Sequence, residues 1–145
     1  MYLIEMKSKD GDDKIYYWNG CKMYVSPYIV RGSGNRKTLN MKKKMREFVK
    51  LGYNELTCPI DRMEGEVIIP REVAIVKVHY NIVSMNGDCP EPVSTWSTLD
   101  KAMASIKVEG GEWSLVNGSN GCITFKGVDR ATGLTMFVLP TKKRG

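Results

Sequence analysis

The sequence predicts an α+β fold: a single antiparallel, curved β-sheet packed by one long and one short α-helix. Three observations predict it. Apolar and polar residues alternate with period two over much of the chain, from Tyr2 to Lys7 and at greatest length from Val73 to Val83. Turn signals, Asn19-Gly20 above all, join neighbouring strands as hairpins. Apolar residues recur at helical spacing in only two stretches, near Met41–Leu51 and Leu99–Ile106, too few to alternate with strands as a parallel sheet requires.

Taken in order, Tyr2, Ile4 and Met6 share one face of a first strand, and Asp10-Gly11-Asp12-Asp13 turns the chain. Lys14–Trp18 and Cys21–Val25 form a hairpin about Asn19-Gly20, a pair suited to the two positive φ angles of a type I′ turn. Gly32-Ser33-Gly34-Asn35 breaks regular structure. The long helix comes next, capped by Thr38 or Asn40, with Met41, Met45, Phe48, Val49 and Leu51 as its apolar stripe and Gly52 as its stop. Val67-Ile68-Ile69 is a short strand ended by Pro70. In the strand from Val73 to Val83, the face with Val76, Val78, Tyr80 and Ile82 is apolar. Lys77, His79 and Asn81 lie on the other, which implies a half-solvated sheet.

Residues 86–92 read as a loop. Ser97-Thr98-Leu99-Asp100 resembles a capping box opening the short helix, with Asp100 in the usual place of Glu. Glu112–Val116, Cys122–Lys126 and Leu134–Leu139 are three further strands, joined by the loops 117–121 and 129–133. Residues 1–145 read as one domain, and its basic tail, 141–145, is expected to fray.

Composition narrows the class. Hydrophobic residues make up 42% and charged residues 26%, as in ordinary globular chains. No apolar run approaches the roughly 18 residues that span a bilayer, and the alternating N-terminus does not resemble a secretion signal. These point to a cytoplasmic setting. Cys21, Cys58, Cys89 and Cys122 lie more than 30 residues apart with no C-x-x-C pair, so free thiols are expected, with no metal centre and no cofactor.

Charge supplies the main functional signal. Between Arg31 and Lys50 stand eight basic residues against one acid, Glu47, an excess larger than the whole chain's net +6. Arg31, Gly32, Gly34, Arg36 and Lys37 lead into the helix, where free N–H groups and the helix dipole favour an anion. Lys42, Lys43, Arg46 and Lys50 continue the set along its water side. The loop is not a Walker A motif, because Arg36 stands where glycine must precede Lys-Thr. A solvated helix face is the plainer reading of the same run. Tyr16, Tyr17, Trp18 and Tyr24 are candidates for stacking on bases, or for ordinary packing within strands.

Catalytic motifs are missing: there is no G-x-S-x-G, H-E-x-x-H or zinc-deaminase pattern. His79 is the only histidine. Three function classes remain. The first is a non-enzymatic binder of an anionic partner, nucleic acid or nucleotide. The second is an interaction module that docks on a larger protein and regulates or inhibits it, in the manner of phage accessory and counter-defence proteins. The third is an enzyme built on Cys or His79 chemistry.

Overall fold

The computed structural model describes residues 1–8, 14–31, 39–53, 68–87, 89–117 and 123–144. In chain order these form β1 (Tyr2–Ser8), β2 (Ile15–Trp18), β3 (Met23–Tyr24), a 3-10 turn (Pro27–Ile29), α1 (Leu39–Leu51), β4 (Pro70–Asn86), β5 (Cys89–Trp96), α2 (Leu99–Ala104), β6 (Ser114–Asn117), β7 (Ile123–Val128) and β8 (Thr135–Arg144). Every strand pairing among the described residues is antiparallel, in the order β3-β2-β1-β4-β8-β7-β6, with β5 also paired to β4. No helix among the described residues is long and apolar enough to cross a membrane.

The spine is β4, 17 residues long. One of its edges pairs with β1 as far as Tyr2↔Lys77, then with β5 from Tyr80↔Trp96 onward. Met1 fills the gap between them: its carbonyl accepts from the Val78 amide at 2.8 Å, and its ammonium donates to Val78 O at 3.1 Å and Ser97 O at 3.0 Å. The other edge pairs with β8 from Val76↔Arg144 to Met85↔Thr135. A bulge sets Glu72 and Val73 against Met6, with Glu72 at φ 50°, a device that bends a strand and increases its twist.

The sheet curls into a half-barrel. The 3-10 turn beyond β3 reaches across the inner face to pack on β7 and β8, and the Tyr80 hydroxyl donates to Pro27 O at 2.8 Å. Val76, Val78, Tyr80 and Ile82 of β4 fill this inner core with Leu99 and Ala102 of α2. The outer face of β1 and β2 is covered by α1, whose Met41 and Phe48 bury against Ile4, Met6, Trp18 and Ile75. Phe48 meets Trp18 and Tyr53 edge-on, at 5.7 and 5.9 Å between centroids. Gly52 ends α1 as expected, at φ 75° with its amide donating to Phe48 O at 2.9 Å.

Several expectations change. The hairpin exists, but its turn is a four-residue loop, 19–22, and β3 is only two residues long. Asn19 does not take a positive φ; its side-chain carbonyl accepts from the Cys21 and Lys22 amides at 2.9 and 2.8 Å instead, an Asx turn. The expected loop 86–92 belongs largely to β5, which tolerates Pro90 and Pro92 because it lies along the rim of the sheet. The short helix is capped one residue later than expected, by Thr98, whose hydroxyl accepts from the Lys101 amide at 3.1 Å. Asn40 is the second residue of α1 and so not its cap. The other cap considered, Thr38, lies outside the described residues, as does Val67 of the expected strand 67–69, of which Ile68 makes only an isolated bridge to Tyr53.

The tail does not fray as far as residue 144: 141–144 continue β8. Lys142 turns inward and donates to Glu5 Oε2 and to the Tyr17 hydroxyl, both at 2.8 Å. The two helices are 13 and six residues long. They cover opposite faces, so β1 and β2 bury both sides rather than one.

Gly127 shows how tightly the inner layer is built. A Cβ there would meet Val108 Cγ1 at 2.5 Å and the Trp113 ring at 3.0 Å. Gly127→Ala is therefore expected to cost about 1–3 kcal/mol through overpacking, read as a lowered urea midpoint with an unchanged slope. A midpoint equal to that of the unaltered protein would contradict this packing.

Candidate functional site

Helical geometry separates α1 into two sides. Met41, Met45 and Phe48 recur at i, i+4 and i+7 and face the sheet, while Lys42, Lys43, Arg46 and Lys50 fall on the opposite side and are exposed. None of these four forms an ion pair with a described residue. Lys44 is set apart from them: its ammonium lies 5.2 Å from the Phe48 ring centroid and 6.0 Å from that of Trp18 and bonds Glu47 at 3.3 Å. The helix thus keeps its only acid beside Lys44 and leaves a row of four cations facing water.

Other members of the expected anion set stand differently. Arg31 is paired with Asp100 of α2, so its charge is already matched and it ties the segment after the 3-10 turn to the short helix. Gly32, Gly34, Arg36 and Lys37 lie outside the described residues.

The stacking candidates are mostly core. Tyr16 and Trp18 are 7% and 8% exposed beneath α1, and Tyr17 is 3% exposed on the inner face. Alternation places these rings on opposite faces, and both faces are covered, so none of the three offers a plane to a base. Tyr24 is half-buried against the inner core, with Lys22 Nζ 5.9 Å from its ring centroid.

His79 is half-buried on the outer face of β4. Burial lowers its proton affinity from the ordinary value, and Lys77, the Met1 ammonium and Lys143 lower it further. Cys21 and Cys89 are exposed free thiols; Cys58 and Cys122 lie outside the described residues. A shallow depression between β6 and β7 is lined by Glu109, Glu112, Ser114 and Lys126 and is mixed in charge.

Sequence reasoning missed a second cluster of cations. Lys77 of β4 and Lys143 of β8 are directly opposite in the ladder, and His79 faces Thr141 on the next rung of the same face. In sequence they are far apart, and only the β4–β8 register brings them together.

No family model, no curated protein and no solved structure matches the chain. Its function has to be argued from its own side chains.

Proposed function

We propose that this protein is a non-enzymatic binder of a polyanion, with nucleic acid as its partner and the solvent side of α1 as its grip. One observation carries the reading: Lys42, Lys43, Arg46 and Lys50 share an exposed helix face without a carboxylate partner among the described residues. A helix face is convex and does not enclose a single nucleotide, whereas charge spread along an axis suits a repeating backbone. From Lys42 to Lys50 the axis rises roughly 12 Å, a length over which duplex DNA carries about seven phosphates.

Neutralising about three phosphates predicts that raising salt from 50 to 200 mM weakens binding roughly 40-fold. In fluorescence anisotropy with a labelled duplex, the triple variant K42E/K43E/R46E is expected to lose about 100-fold in affinity at low salt. Its melting temperature should stay within about 2 °C, since the three side chains make no buried contact. Unchanged affinity would remove α1 as the grip.

A protein partner is the second reading, favoured by Val49 and Leu51, which stand 56% and 66% exposed on the same helix. Apolar side chains beside Arg and Lys suit a protein interface. Pull-down from nuclease-treated lysate separates the two: a retained protein favours this reading, and an empty bait favours nucleic acid.

A further inference from the structure

Lys77 and Lys143 face each other across the β4–β8 ladder on the outer face of the sheet. Directly opposite side chains in an antiparallel pair hold their Cβ atoms about 5 Å apart, and like charges so placed destabilise the pair. The ladder neighbours on that face are Tyr2, Ile75, His79 and Thr141, none of them acidic. No ion pair to a described carboxylate relieves either lysine. Lys77 Nζ lies 5.8 Å from the Tyr2 ring centroid, a contact that positions the ammonium without neutralising it.

Hydrogen bonding adds direction. Thr95 Oγ1 donates to Asn81 Oδ1 at 2.8 Å, and Asn81 Nδ2 donates to Thr141 Oγ1 at 2.6 Å. The chain of bonds runs from β5 through β4 to β8 and ends on a hydroxyl that accepts, which leaves the Thr141 proton to be donated outward beside the cations.

We propose that Lys77, Lys143, His79 and Thr141 form a phosphate-binding site on the outer face of the sheet, distinct from the stripe on α1. A phosphate seated between the two ammonium groups removes their repulsion and accepts from Thr141. Burial first, then Lys77, the Met1 ammonium and Lys143 oppose protonation of His79, and the phosphate charge offsets the part due to the cations. Binding therefore takes up a proton at His79. The outer core beneath α1 extends to Tyr2, so both cation groups lie on one side of the sheet.

His79 is the chain's only histidine, so its ring C–H resonance in proton NMR reports the site without labelling. The whole protein is titrated from pH 5 to 8 in chloride, and again in inorganic phosphate at equal ionic strength. The midpoint is expected below 6.5 in chloride and about half a pH unit or more higher in phosphate. K77Q/K143Q is expected to raise the chloride midpoint and to abolish the response to phosphate, and K42E/K43E/R46E to keep it. The α1 reading and this one therefore fail separately. A midpoint that phosphate leaves unmoved, or a response that survives K77Q/K143Q, overturns the site. Repeating the titration with a mononucleotide and with an oligonucleotide lacking terminal phosphates identifies the source. A response to the mononucleotide alone assigns a phosphomonoester, and a response to both assigns the nucleic-acid backbone.

Discussion

Replacing Phe48 with alanine is expected to cost about 3–5 kcal/mol and to lower the melting temperature by roughly 10–15 °C. Phe48 is 1% exposed and sits between the edges of Trp18 and Tyr53. Truncation leaves a cavity that the Trp18 and Tyr53 rings, held by their own packing, do not close. The loss falls on the attachment of α1, whose other buried anchor among the described residues is Met41. Affinity for a polyanion is therefore expected to fall with the helix, although no charge has changed. Phe48→Leu, which keeps most of the volume, should retain most of both. Calorimetry and anisotropy on one preparation separate this variant from the charge-reversal triple, in which affinity is lost and the melting temperature kept. A melting temperature within about 2 °C of the unaltered protein would show that Phe48 does not anchor the helix.

Lys142→Met is expected to cost about 1–3 kcal/mol, a discount on the 3–5 kcal/mol of a fully buried pair because the Lys142 side chain is 39% exposed. Its ammonium serves the nearly buried Glu5 carboxylate and the Tyr17 hydroxyl together, and methionine keeps the bulk without the donor. Alkali tests the same cluster. Burial alone would lower the proton affinity of Lys142, but its bonds to Glu5 and Tyr17 outweigh burial and raise it. Burial raises that of Tyr17, with Lys142 opposing and Glu5 adding to the rise. Tyr80 is pushed well up, chiefly by burial. The folded state thus holds these protons where the unfolded chain has released them. Their stabilisation is complete below about pH 10 and is lost as pH rises through the folded values. Circular dichroism and tyrosinate absorbance between pH 8 and 12 should show part of the tyrosine signal appearing only with unfolding. All seven tyrosines titrating near pH 10 with the fold intact would contradict the arrangement.

Most strands were legible because alternation is a local property. Ile4 and Met6 against Leu3 and Glu5, or Val76 and Val78 against Lys77 and His79, need no distant information. β5 was hidden because Pro90 and Pro92 read as loop residues, and only its place along the rim makes them tolerable. The aromatic hairpin misled for a related reason. Alternation shows that Tyr16 and Tyr17 point to opposite faces but not that α1 covers one and the inner core the other. Lys142 read as part of a frayed tail because its partners stand near the other end of the chain. Within the candidate site, the cation row on α1 comes from helical spacing alone. The Lys77–Lys143 rung depends on the register between two strands more than 45 residues apart in sequence, which no local pattern encodes.

β4 lends Ile75 to the outer core and Val76, Val78, Tyr80 and Ile82 to the inner one. Loosening either layer frees the strand on which the other rests, so the free energies of opening the two are coupled. A ligand held as proposed at α1 or at Lys77 and Lys143 would accordingly add its mass-action stabilisation to a core it never touches. Slower amide exchange deep inside the half-barrel becomes a distant report of occupancy at its surface.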